Sequence, residues 1–105
     1  LLSSTALFVA GEFGRTPKIN GSAGRDHWAR AMCAVMAGGD VRGGQAIGAT
    51  DETASAPSGD GFSPDDLAAS FFRNIGISPE REFQTNVGRP VTLIRNGSPI
   101  EQLFG

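Results

Sequence analysis

His27 is the only imidazole in the chain, so any histidine chemistry or histidine–metal bond must pass through it. Asp26 precedes it directly, and Glu12 stands at the other end of the glycine-rich stretch that leads to it. A carboxylate and an imidazole delivered from two neighbouring strand ends share a divalent cation readily, each giving one hard or borderline ligand. Glu12, His27 and Asp26 are therefore the candidate metal ligands. The same residues also fit a plainer arrangement: the carboxylates paired with Arg15 or Arg25, Asp26 holding a turn, His27 bonded to a backbone carbonyl. Arg15, followed by Thr16 and Pro17, offers a guanidinium fork for phosphate or sulfate oxygens. The alternative for Arg15 is to brace the glycine-rich loop by donating to carbonyls, and the sequence leaves both open.

Other candidates carry less chemistry. Residues 38–44 (GGDVRGG) lack the Gly-Lys-Ser/Thr ending of a Walker loop and the spacing of a dinucleotide fingerprint, and read as a tight connection. Cys33 sits among Ala, Met and Val and is expected to be an inert, buried thiol. Being the only cysteine, it permits neither an internal disulfide nor a CxxC site. Trp28 either walls a site or packs, and Phe71 and Phe72 are expected in the core.

These residues must be positioned by a few short elements. Residues 5–10 (TALFVA) form an apolar run stopped by Gly11, as expected of a buried parallel strand ending in a loop. Residues 11–24 carry four glycines, a proline and an Asn-Gly pair, and read as an irregular loop. A second strand is expected over 32–37, a short one near 45–47, a polar surface loop over 52–61 and a late strand over 90–94. Between these lies a helix over 64–75. Ser63 is its N-cap, Pro64 its first residue, Asp65 and Asp66 complement the positive end of its dipole, and Gly76 ends it. Phe62 and Leu67 have staple spacing, while Leu67, Phe71 and Ile75 make an apolar stripe. The order strand, loop, strand, helix, strand predicts an α/β fold with a largely parallel sheet, whose ligands bind at the strand carboxyl ends.

Composition bounds the functions available. Leu, Ile, Val and Phe make up 24 of 105 residues, just above the roughly 20% below which a chain fails to build a core. Fifteen glycines and six prolines indicate a loop-rich, weakly cored object. A formal net charge of −2, with the basic residues scattered, gives no footprint for nucleic acid. No apolar run approaches the roughly 20 residues that span a bilayer, and residues 1–10 are not an intact signal peptide. The chain opens Leu-Leu-Ser-Ser-Thr and runs straight into a strand, as a segment of a longer protein would.

Five motifs follow one another in order: Gly-Glu-Phe-Gly-Arg-Thr-Pro at 11–17, Gly-Arg-Asp-His-Trp at 24–28, Ala-Gly-Gly at 37–39, Gly-Gly-Gln-Ala-Ile-Gly-Ala-Thr-Asp at 43–51 and Ser-Pro-Asp-Asp-Leu-Ala-Ala at 63–69. Together with Gly-Arg-Pro at 88–90 and the closing Ile-Glu-Gln-Leu-Phe, they resemble the C-terminal part of the domain-of-unknown-function 1501 family, placed within the alkaline-phosphatase and sulfatase superfamily. That resemblance implies one segment over 1–105 of an α/β/α sandwich, completed by a missing upstream part of the same protein. It implies a divalent metal (zinc, manganese or calcium) held by Glu12, His27 and Asp26, with Arg15 on a small anionic ester. It also implies hydrolysis of phosphate or sulfate esters, with the nucleophile upstream, and export through the twin-arginine route. In superfamily hydrolases a strand ends in an Asp-His pair; here Glu12-Phe13 stands in its place, and Phe13 ligates nothing. A non-catalytic binding or assembly protein is the competing expectation.

Overall fold

The computed structural model describes every residue except Asp60. Its regular elements are β1 (Leu7–Ala10), β2 (Gly14–Arg15), β3 (His27–Trp28), β4 (Ala34–Ala37), α1 (Pro64–Asn74), β5 (Glu82–Gln84) and β6 (Pro90–Thr92), with 3-10 turns at Leu2–Ser4 and Glu101–Leu103. The strands form three two-stranded sheets, β1 with β4, β2 with β3 and β5 with β6. The β2–β3 and β5–β6 ladders are antiparallel.

This corrects the expected α/β/α sandwich with a largely parallel sheet: among the described residues there is one helix and no extended parallel sheet. The physical reason lies in the connections. Parallel neighbours need a crossover of roughly a dozen or more residues, usually a helix. Residues 85–89 instead close β5 onto β6 by a tight turn, in which the Gly88 amide donates to the Thr85 carbonyl at 2.9 Å. Nor is β1 buried: Leu7 is 49% and Val9 55% exposed, where a doubly wound sheet would cover both faces. Cys33, expected in a core, is exposed as well. No strand forms at 45–47, and β5 appears where none was expected.

The chain divides into two compact units, residues 1–7, 37–45 and 62–105 in one, residues 8–36 and 46–61 in the other. The first unit is organised by α1. Ser63 caps the helix by accepting from the Asp66 amide at 3.1 Å, and the Asp66 carboxylate returns the bond to the Ser63 amide at 2.8 Å, a full capping box. At the other end the Gly76 amide donates to Arg73 and the Ile77 amide to Phe72, with Gly76 at φ 79°, the Schellman closure that the glycine permits. The helix ends at Asn74, one residue short of the expected 64–75, with Gly76 closing it as expected.

What buries the helix is less apolar than the stripe implied. The fully enclosed residues are Ala69 and Ser70, with Ile100 beside them at 6% exposure. The Ser70 hydroxyl donates to the Asp66 carbonyl at 2.7 Å and accepts from the Ile100 amide at 2.8 Å. Asp66 also accepts from the Ser98 amide at 2.9 Å, so one carboxylate ties the helix start to the 98–100 segment. Gly97 is obligatory in this contact, because a Cβ there would run into the backbone of Asp65 and Asp66. At the helix end the Asn74 amide clasps residues 38–40, donating to the Gly38 carbonyl at 3.1 Å and accepting from the Asp40 amide at 3.0 Å. The 38–44 glycine stretch is thus a braced connection.

Backbone and hydroxyl donors from Ser98 and Ser63 hold the Asp66 carboxyl below the usual carboxylate range. A carboxyl depressed on folding stabilises the folded state above its unfolded value, near about 3.9, and that contribution is lost as pH falls through the lower folded value. Asp66→Asn puts an amide N–H against either the Ser63 or the Ser98 donor. It is expected to cost about 1–2 kcal/mol near neutral pH and to flatten the acid limb of the helix-signal titration below about pH 4. An unchanged acid limb would show that Asp66 does not carry this tie.

Candidate functional site

The candidate residues of the second unit meet on the β2–β3 hairpin. Its register pairs Gly14 with Trp28 and Arg15 with His27. Directly opposed residues in an antiparallel pair share a face, and successive residues alternate faces. Arg15 and His27 therefore stand together on one face, both exposed, while Asp26 and Trp28 belong to the other. Gly14 permits this pairing: a Cβ on it would strike the carbonyls of Ala31 and Trp28.

Phe13 completes the first face. Its ring stacks on the His27 imidazole with centroids 3.8 Å apart and planes at 28°, and the Arg15 guanidinium lies 5.3 Å from the Phe13 centroid. Phe13, which ligates nothing, is thus the platform against which His27 and Arg15 both lie. Residue parity across a hairpin at 13, 15 and 27 was the available signal for this cluster. Arg15 Nη1 donates to the Arg25 carbonyl at 3.1 Å, the loop-bracing role, while its Nε and Nη2 have no partner among the described residues. Both readings of Arg15 are therefore physically compatible.

Asp26 is spoken for by the loop. Its Oδ1 accepts from Asn20 Nδ2 at 2.9 Å, and Asn20 Oδ1 accepts from the Ser22 and Gly24 amides, each at 3.0 Å. The Arg25 guanidinium closes the same loop on the carbonyls of Thr16 and Pro17. Thr16 bridges the strand ends, its amide donating to the Asp26 carbonyl and its hydroxyl accepting from the Asp26 amide, both at 3.0 Å. Glu12 is exposed and makes no hydrogen bond or ion pair among the described residues. The hairpin thus brings His27 to Arg15 and separates it from Asp26. No group of three His, Cys, Asp or Glu side chains that would hold a metal occurs among the described residues. With Asp26 on the face opposite His27, the residues present do not come together as a self-contained cation site, which takes at least three protein ligands for zinc.

The other face opens on a groove of about 610 Å³, lined by Trp28, Asn20 and Asp26 among others. Trp28 Nε1 donates to the Ser55 carbonyl at 2.6 Å, fixing the indole against the 51–58 loop. In that loop Asp51 accepts from the Ser55 amide at 2.7 Å. Asn20, Thr53 and Ser55 gave no signal in the sequence beyond turn-forming character.

The family model described as "Protein of unknown function (DUF1501)" matches residues 1–104. The chain belongs to the DUF1501 family. No curated protein and no solved structure matches it. Membership of this DUF1501 chain rests on nearly its whole length, and the described residues include no helix long and apolar enough to cross a membrane.

Asn20 is the hub of the loop that shapes both faces. Asn20→Ala removes two accepted bonds and the support of Asp26, and is expected to destabilise the second unit by about 1–2 kcal/mol. Trp28 is the only tryptophan, so its emission during thermal melting reports this unit directly. An unchanged melting transition would show that the Asn20 bonds contribute no net stability.

Proposed function

We propose that this chain takes part in binding phosphate or sulfate esters for hydrolysis, in the manner of the alkaline-phosphatase and sulfatase superfamily. One observation supports the reading above others: Arg15 and His27 are cross-strand partners on one exposed face, with the Arg15 Nε and Nη2 unpartnered. That edge of a guanidinium is a bidentate fork for two oxygens of a tetrahedral oxyanion. The His27 imidazole offers a ring nitrogen to a third oxygen, and Phe13 holds its plane. Charge that develops on the ester oxygens during P–O or S–O cleavage is stabilised by such pre-positioned donors. The nucleophile and the remaining metal ligands are proposed to come from outside residues 1–105, and export belongs to the same proposal.

A second reading, non-catalytic anion binding, is favoured by the Phe13–His27 stack. The aromatic ring covers one face of the imidazole and supplies no ligand of its own.

The test is titration of the 105-residue chain with inorganic phosphate, sulfate and an aryl phosphate, followed by the Arg15 Nε–H and His27 ring resonances. Both sets should move together, and Arg15→Ala should weaken binding roughly tenfold or more, the worth of a charged hydrogen bond. Turnover of the aryl ester by this chain alone is not expected. Resonances at Arg15 and His27 that stay still while the anions reach saturating concentration would overturn the proposal.

A further inference from the structure

We propose that the groove on the opposite face of the β2–β3 hairpin is a saccharide-binding site, with Trp28 as its platform. The inference is independent of the ester reading, since the groove is lined by Trp28 and Asp26, whose side chains face away from Arg15 and His27.

The first support is size and shape. At about 610 Å³ the groove lies within the range of small-molecule sites, and it is open rather than enclosed. An open groove suits a chain of rings better than a slot closed around a single base. The second support is the indole. Trp28 is half-buried and its Nε1–H is already spent on the Ser55 carbonyl, so the ring is locked in orientation and presents an apolar face with no polar demand of its own. Arg30 lies over the ring, 6.0 Å from its centroid, and is not part of the groove lining.

The third support is the polar array around that platform. Asp26 uses Oδ1 on Asn20 and leaves Oδ2 without a partner among the described residues. Asn20 is held by two backbone amides, and Lys18 adds an ammonium with no ion pair among the described residues. Thr53 and Ser55 line it with hydroxyls joined to each other, Thr53 Oγ1 donating to Ser55 Oγ at 2.8 Å. One carboxylate, one ammonium, one amide and hydroxyls give acceptors and donors in balance, with neither sign of charge dominant. A ligand with apolar C–H faces and a rim of hydroxyls matches this set: the C–H face stacks on the indole, while adjacent hydroxyls donate to Asp26 and accept from Lys18 or Asn20. A free phosphate or sulfate does not match it, because Asp26 would repel the anion.

Because the chain has one Trp and no Tyr, its intrinsic emission reads this groove alone. The experiment titrates the 105-residue chain with cellohexaose, maltohexaose and laminarihexaose, and in parallel with adenosine and sodium sulfate. At least one saccharide should change Trp28 emission saturably. Asp26→Asn, which keeps an oxygen for Asn20 but loses the charge, should weaken that saccharide roughly tenfold. Trp28→Phe, followed by calorimetry, should weaken it as well. Lys18→Met, at a side chain without a structural bond, guards against variants that merely unfold the loop, and should also weaken binding. Emission unmoved by all three saccharides, a response to adenosine or sulfate only, or saccharide binding untouched by both Asp26→Asn and Lys18→Met would each overturn the proposal.

Discussion

Backbone contact at Gly14 is the constraint on which the Arg15–His27 face depends. Only a residue without a Cβ lets β2 approach the carbonyls of Trp28 and Ala31, and that approach fixes Gly14 opposite Trp28. Once that pair is fixed, alternation assigns every other side chain on the hairpin to one face or the other. Phe13, Arg15 and His27 come together, and Asp26 and Trp28 come together behind them. A slip of one residue would exchange the two sets and separate Arg15 from His27. With only two residues in each strand, the ladder is too short to enforce this register itself. The connecting loop must do it, through Thr16, Asn20 and Arg25.

The same economy recurs in the other unit. Apolar burial is slight: Ala69 and Ile100 are the buried hydrophobic residues, and many larger ones stay exposed. Order is maintained by side chains that satisfy backbone groups. Asp66 joins the helix cap to Ser98, Ser70 joins the helix interior to Ile100, and Asn74 clasps residues 38–40. A bond of this kind is worth only about 1 kcal/mol net, so the arrangement relies on several acting at one hub rather than on a packed interior. The Arg73–Glu101 pair at 2.7 Å, with Arg73 also over the Phe104 ring at 4.3 Å, adds a surface version of the same tie.

Local chemistry was legible where it needed no partner from afar. Ser63, Pro64, Asp65, Asp66 and Gly76 specify the helix and both its ends by their own side chains, and the helix stands where they put it. Residues 7–10 and 34–37 are strands for similarly local reasons. Sheet direction was not legible, because strand propensity says nothing about which neighbour a strand finds; β5, at Glu82–Gln84, has a single large apolar residue and depends on β6 for its existence. Burial was overestimated from apolar runs, as the exposed β1 and Cys33 show. At the site, residue types pointed to His27 and Arg15, but the meeting of His27 with Phe13 and its separation from Asp26 follow from register, which a glycine-rich loop conceals.

Two faces of one small hairpin thus carry different chemistry, an exposed Arg–His pair over a phenyl ring and a groove beside a locked indole. Both assignments stand or fall with the pairing of Arg15 and His27. The most direct measurement is the set of through-space proton contacts of the His27 ring in solution. The account predicts contacts from the His27 ring to the Phe13 ring and the Arg15 side chain, with Asp26 instead contacting the Asn20 side-chain amide. Contacts from the His27 ring to Asn20 or to the groove-lining side chain of Thr53, with none to Phe13, would contradict it.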